Sequence, residues 1–164
     1  MTGGRVFEAA TGDGPAPPDP AVDPAAAEHR TAEVRVAYEG MLQIRRLTTT
    51  SGGDPGAVPA PWERHRPVRA VALALEAAGI PPSARDPDGA RTATGYRVAP
   101  GERTGTVRVE WLGPPGGGAA RDEERALAAC ARALDRLGWE PLLYKGPRGR
   151  RFLEAEPLDA ASGP

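Results

Sequence analysis

The chain has 164 residues and a formal net charge of −1 at pH 7. This length is typical of one domain with a single hydrophobic core. The near-zero net charge excludes the strong overall positive charge that marks many DNA-binding domains. Glycine and proline make up about a quarter of the residues, close to the level at which disorder prevails, but they cluster between apolar, periodic segments.

Arginine supplies almost all of the positive charge, since Lys145 is the only lysine, and asparagine is absent. Codons for lysine and asparagine are AT-rich, whereas those for arginine, alanine, glycine and proline are GC-rich. The composition therefore indicates a genome of high G+C content, such as an actinobacterial one. For this reason the many arginines are weak support for nucleic-acid binding.

The lone cysteine, Cys130, excludes an internal disulfide and lies among alanines, as a buried small apolar residue would. The chain does not begin with a basic region followed by an apolar run, which is the pattern of a signal peptide. No stretch approaches the roughly 20 apolar residues that a membrane span needs. We therefore expect a cytoplasmic protein.

Both ends of the chain are poor in large apolar side chains. Residues 1–27 are rich in proline and glycine and cannot bury enough surface to offset the entropy of ordering. We predict disordered tails over residues 1–27 and 158–164, with a single domain over residues 28–157 between them.

Apolar residues recur every three or four positions within residues 27–47, which favours an amphipathic helix. The members of this stripe are Val34, Ala37, Tyr38, Met41 and Ile44. Gly40 argues against the helix, because a glycine inside a helix costs about 1 kcal/mol relative to alanine. Val34, Val36 and Tyr38 also alternate as in a strand, so residues 32–38 are open to either interpretation. The polar residues 48–56 predict an exposed loop.

A second helix is predicted to begin at Pro67, which suits the first helical position, and to end at Gly79. Trp62 is expected to pack over the start of this helix. A hairpin with arms at residues 92–98 and 106–112 is predicted next, because apolar and polar side chains alternate in the second arm as in a half-buried antiparallel strand. Gly95 within the first arm indicates a bulge or a close backbone approach.

The region from Asp122 to Glu156 carries the clearest pattern in the chain. An alanine-, leucine- and arginine-rich helix ends at Gly138, and two strand-like runs follow, Trp139–Lys145 and residues 150–156, joined by a tight turn. The order α-α-β-β-α-β-β predicts the α+β class, with helices packed on one face of an antiparallel sheet of about four strands. The two halves of the chain resemble each other in pattern, which suggests an αββ duplication.

No group of residues predicts a catalytic or metal site. His29 and His65 have no serine, cysteine or aspartate at motif spacing, and no potential soft ligands lie close together. The glycines at 116–118 precede a helix, but the acidic first turn of that helix would repel a phosphate. An enzyme would need a site assembled from distant groups such as His65, Glu63 and Tyr144. We therefore predict no catalytic residues, no metal and no cofactor.

The turn of the second predicted hairpin is basic. Its cations are Lys145, Arg148, Arg150 and Arg151. The helix end at residues 134–138 followed by residues 146–153 resembles the second half of a winged helix-turn-helix domain, which implies a wing lying along a phosphate backbone. That family also needs a helix just before the recognition helix, where this sequence predicts a hairpin. The basic turn can still contact phosphates without reading sequence, or it can serve only to keep the sheet edge soluble.

The absence of a reactive cluster favours a small, non-catalytic, cytosolic binding or adaptor domain whose partner is a protein or a second copy of the chain. Tyr38, Met41 and Trp62 are the candidate anchors if the first helix docks that partner; otherwise they belong to the core. The alternative hypothesis is a nucleic-acid-associated protein that uses the basic hairpin turn.

Overall fold

The computed structural model of the chain describes residues 6–49, 54 and 56–159. Its helices are α1 (Pro24–Thr48), α2 (Pro61–His65), α3 (Pro67–Ala77) and α4 (Ala119–Asp135). Its strands are β1 (Ala84–Arg85), β2 (Arg91–Ala93), β3 (Gly95–Pro100), β4 (Val107–Leu112), β5 (Trp139–Lys145) and β6 (Arg151–Pro157). The predicted α+β class is confirmed.

The main sheet has four antiparallel strands in the order β3-β4-β6-β5, and β1 and β2 form a separate pair. Helices α3 and α4 pack on one face of the main sheet, and α1 packs against α3. The buried side chains of that face include Tyr96, Val109, Trp111, Trp139 and Leu153. None of the helices in the described residues combines the length and the apolar character needed to cross a bilayer.

Each main hairpin follows a helix, so that α3-β3-β4 and α4-β5-β6 are two successive αββ units. The second strands of the two units, β4 and β6, are neighbours at the centre of the sheet, while the first strands lie at its edges. This is the order that two αββ units related by a twofold axis produce. The predicted duplication is therefore compatible with the topology and stays a prediction.

Helix α1 is a continuous helix of 25 residues and includes the segment that the sequence left open between helix and strand. It starts three positions before the predicted start because the Asp23 carboxylate accepts a hydrogen bond from the Ala26 backbone N–H at 3.1 Å. Pro24 then takes the first helical position, where its missing N–H has no cost. The predicted start of α3 at Pro67 is confirmed.

The first arm of the first hairpin differs from the prediction. Residues 92–98 do not form one strand, because β2 ends at Ala93 and β3 begins at Gly95. The predicted close approach at Gly95 is confirmed, since a Cβ atom at this position would overlap the Pro81 carbonyl oxygen. The Ser83 hydroxyl holds the neighbouring strand by donating to the Ala93 carbonyl at 2.8 Å. The main sheet therefore starts later than its alternation suggests.

Residues 7–14, here called the N-terminal strap, make specific contacts within the predicted disordered tail. The Thr11 carbonyl accepts a hydrogen bond from the Val98 N–H at 2.7 Å, and the Gly14 carbonyl accepts one from the Arg85 N–H at 2.9 Å. Gly12 is buried with a φ of 99°, and a Cβ there would overlap the Tyr96 carbonyl oxygen. These contacts involve residues far along the chain, so local composition could not reveal them.

Three predicted segments fall partly outside the described residues. They are residues 1–5 of the first tail, residues 50–53 and 55 of the loop after α1, and residues 160–164 of the second tail.

The predicted burial of Cys130 in α4 is confirmed, and burial raises the pKa of its thiol to about 12.

Candidate protein-interaction surface

The β3 edge of the main sheet is covered by other parts of the same chain. The Tyr96 N–H donates to the Pro81 carbonyl at 3.0 Å, and the Ser83 N–H donates to the Tyr96 carbonyl at 2.9 Å. Further along, the Val98 N–H donates to Thr11 of the N-terminal strap. The outward N–H groups of Tyr96 and Val98 and the outward carbonyl of Tyr96 are thus paired within the molecule, so covering segments occupy the place where another strand would add.

At the β5 edge, no segment of the described residues forms such a cover. Hydrogen bonds from the Leu158 N–H to the Gly138 carbonyl (2.9 Å) and from the Gly146 N–H to the Arg150 carbonyl (2.6 Å) fix which positions of β5 bond to β6. Because bonded and non-bonded pairs alternate in an antiparallel ladder, the backbone groups of Leu143 and Lys145 point away from β6. No strand of the described residues pairs with that side.

Three consecutive apolar side chains stand along the open edge of β5. Leu142, Leu143 and Tyr144 are 44%, 51% and 42% exposed. Leu142 and Tyr144 lie on the sheet face away from the helices, and Leu143 lies on the other face. An apolar cluster beside unpaired backbone groups is typical of a site that receives another strand.

Tyr144 is held in place by its neighbours on the open sheet face. Its ring stacks on that of Phe152, directly opposite on β6, with centroids 5.5 Å apart and planes inclined by 20°. The Arg108 guanidinium lies 3.9 Å from the centroid of the Phe152 ring. This cation–π and aromatic stack fixes the aromatic surface next to the β5 edge.

The structure neutralises part of the predicted basic turn. The Glu123 carboxylate is buried and accepts a hydrogen bond from the Arg151 backbone N–H at 2.7 Å, and it lies 3.9 Å from Nε of Arg150. The Arg151 guanidinium pairs with Glu124 at 3.2 Å. The acidic first turn of α4 therefore binds the hairpin. Among the described residues, no ion pair is recorded for Lys145 or Arg148, and both are exposed.

The three predicted anchors, Tyr38 and Met41 on α1 and Trp62 on α2, lie against the hydrophobic core. Met41 is buried and packs with Val34 and Leu73, so it offers no side-chain surface to a partner. Tyr38 and Trp62 are half-buried against the same cluster. The sequence could not separate the two alternatives because both give the same apolar stripe.

The groups considered for an assembled catalytic site have separate surroundings. Glu63 is fully buried, and both of its carboxylate oxygens bond to the Arg45 guanidinium, at 2.7 and 2.8 Å. His65 is exposed and lines an open groove of about 700 Å³. Tyr144 belongs to the aromatic stack on the hairpin. Within the described residues, no cluster of three or more metal-ligating side chains occurs.

Sequence reasoning did not single out Leu142 and Leu143. The available signal was Pro141, two residues into a predicted strand. Proline lacks the N–H that an interior strand needs, so it marks an edge strand. A run of apolar residues next to such a proline identifies an edge with an exposed apolar surface.

The fold and this edge define a small α+β domain with one covered and one open sheet edge. Comparisons with protein-family models, curated proteins and solved structures found no match.

Proposed function

We propose that this protein is a non-catalytic, cytosolic binding or adaptor domain that takes an extended segment of a partner protein onto the open edge of β5. The observation that carries the proposal is the outer side of β5, which no strand of the described residues pairs and which is flanked by exposed Leu142, Leu143 and Tyr144. In strand addition, backbone hydrogen bonds supply affinity and alternate side chains supply specificity.

The chemistry of the edge limits the partner. Leu143 and Lys145 each offer an outward N–H and carbonyl, whereas Pro141 offers only a carbonyl. The partner segment therefore pairs mainly with residues 143–145 and ends near Pro141. Its side chains on the open face meet Leu142 and Tyr144 and are expected to be apolar. Lys145 and Arg148 favour acidic residues at the end nearest the turn.

Two proline variants test the proposal. Leu143→Pro removes an outward N–H and no bond to β6, whereas Leu142→Pro removes a bond within the hairpin. We expect peptides selected from a random library on the wild-type protein to bind in extended form and to lose binding to Leu143→Pro. A selection that yields only peptides indifferent to Leu143→Pro would contradict the proposal. Leu142→Pro is the control, because it shows how much peptide binding is lost when the β5–β6 hairpin itself is disrupted.

A nucleic-acid role is the second candidate, favoured by Lys145 and Arg148 at the turn, which form no ion pair with the part of the chain that the structure describes. Two phosphate contacts predict a shallow dependence of log K on log salt, with a slope of about −1.8 for duplex DNA. Fluorescence anisotropy at low salt should then reveal duplex binding that Lys145→Ala with Arg148→Ala abolishes. Arg69→Ala, a change on α3, is the matched control. Duplex binding that survives the double variant would remove this candidate.

A further inference from the structure

Helix α1 carries a second apolar stripe on the side away from α3. Val36, Ile44 and Leu47 are 68%, 42% and 74% exposed, and the spacing along the helix places them on one face. The opposite stripe, with Val34 and Met41, packs into the molecule. The described residues leave the outer stripe largely uncovered.

Gly40 lies in the middle of this outer stripe. A Cβ atom at Gly40 would meet no other atom within 4 Å, so nothing within the described chain requires a glycine there. A glycine inside a helix lowers helix stability relative to alanine. A glycine that has this cost, with no packing role in the molecule, is explained if a second backbone approaches closely at this point.

Two ion pairs hold α1 rigidly in place. Near its C-terminal end, Arg45 is fully buried and bonds to both oxygens of Glu63 and to the Gly56 carbonyl, at 2.7 to 2.9 Å. Near its N-terminal end, Arg30 makes two hydrogen bonds of 2.8 Å to Glu76 of α3. The outer stripe is thus presented by a helix fixed at both ends, which lowers the entropy cost of docking.

We infer that the outer stripe of α1 binds the same stripe of a second copy of this chain, with the two helices antiparallel and crossing at Gly40. A twofold axis at Gly40 places Val36 of one copy opposite Ile44 of the other, and Leu47 opposite Glu33. Val36 and Ile44 then meet on both sides of the crossing, and Leu47 lies beside the Glu33 side chain at each end. The stripe is therefore complementary to itself, which favours a second copy over an unrelated protein.

Charge supports the antiparallel arrangement. Glu33 lies seven positions before Gly40, and Arg46 lies six positions after it. The twofold axis therefore brings Glu33 of one copy next to Arg46 of the other, where their opposite charges attract. A parallel arrangement would place like charges together.

A small cavity beside the stripe supplies further apolar surface. It has a volume of about 290 Å³, and its walls include Phe7, Gly40, Ile44 and Trp62. A side chain from the second copy can enter there and bury these walls. This dimer uses α1 and goes beyond the proposed function, which uses β5; the two surfaces lie on different elements.

The oligomeric state of the full chain tests the inference. Light scattering should give twice the monomer mass of 17.1 kDa at concentrations well above a micromolar Kd. Gly40→Gln should abolish the dimer because a side chain then occupies the crossing. The same variant should raise the unfolding midpoint of the dilute, monomeric protein, because glutamine is the better helix former. Val22→Gln, an exposed change before α1, should leave the mass unchanged.

A charge exchange tests the register. Glu33→Arg alone should raise the dimer Kd several-fold, and adding Arg46→Glu should restore it. A wild-type protein that stays monomeric overturns the inference. A dimer that survives Gly40→Gln overturns it too, and if that dimer is instead lost in Leu143→Pro, the copies associate through β5.

Discussion

The two edges of the main sheet are built from strands of similar length but have different surroundings. On the β3 side, Pro81 and Thr11 accept hydrogen bonds from the outward N–H groups of the strand. On the β5 side, no described segment approaches the outward groups of Leu143 and Lys145. The described residues therefore cover one edge with segments that the sequence predicts as loop and tail, and they leave the other edge uncovered. The hydrogen bonds at the covered edge contribute to stability, whereas the backbone groups of the uncovered edge make no such contribution.

The largest effect is expected where the covered edge is most tightly packed. Gly95→Ala should destabilise the protein by about 3 kcal/mol, because the added Cβ would overlap the Pro81 carbonyl oxygen and push the covering segment away. Denaturant unfolding measures this change. Gly14→Ala is the matched control, since a Cβ there meets nothing within 4 Å, and its effect should stay within about 0.5 kcal/mol. Equal effects of the two substitutions would contradict the packing argument.

A smaller effect is expected from releasing the N-terminal strap. Gly12→Ala should cost about 2 kcal/mol, because alanine is strained at a φ of 99° and its Cβ would overlap the Tyr96 carbonyl oxygen. The informative measurement is hydrogen exchange at the Val98 amide, whose acceptor is Thr11 of the strap. Exchange there should speed up, while amides that bond β5 to β6 keep their protection. Uniformly faster exchange would mean that the strap is not a separate unit.

The elements with local sequence signals could be predicted from the sequence, whereas the cover of β3 could not. Helix α3 and the β5–β6 hairpin were predicted nearly to the residue, because proline, glycine and local periodicity specify them. The segments that cover β3 were not predicted, because the cover depends on contacts between Gly12 and Tyr96, which are more than 80 positions apart. Long-range contacts of this kind leave no local pattern.

Part of the candidate site could likewise be predicted from the sequence, and part could not. The charges of the basic turn were evident from composition, but the partners of Arg150 and Arg151 on α4 were not. From the sequence alone, the acidic first turn of α4 was interpreted only as a group of carboxylates that would repel a phosphate. In the fold, this turn supports the hairpin, and Lys145 and Arg148 are the cations of the basic turn for which the described residues provide no ion pair.

Asp13 gives the covered edge a dependence on pH. Burial works to raise the pKa of its carboxyl, but the hydrogen bonds and charges of Arg91 and Arg97 together hold it below the usual value of 3.8. A carboxyl whose pKa is lower in the folded state stabilises that state above its unfolded pKa, and this stabilisation is lost as the pH falls through the folded pKa.

The stability advantage of the wild type over Asp13→Asn should therefore be constant near neutral pH and disappear below pH 3.8. Unfolding free energies of the two proteins across the acidic range measure it, and we expect an effect smaller than that of Gly12→Ala. Asp88→Asn, an exposed change in the loop between β1 and β2, is the control. If the wild type stays more stable than Asp13→Asn at low pH, the Asp13 side chain stabilises the fold by its packing and not by its charge.

The smallest effect on stability is expected at the β5 edge, where a proline substitution can be compared directly with one at the β3 edge. Leu143→Pro and Val98→Pro each remove one outward N–H from an edge strand. The Val98 N–H is bonded to Thr11, whereas the Leu143 N–H has no partner in the described residues. Val98→Pro should thus lower the unfolding free energy by more than about 1 kcal/mol, because it removes this hydrogen bond and also replaces a side chain buried in the core, while Leu143→Pro should change it by less than about 0.5 kcal/mol. If the two variants are equally destabilised, the β5 edge is also bonded in solution, and the most direct explanation is a second strand already paired with it.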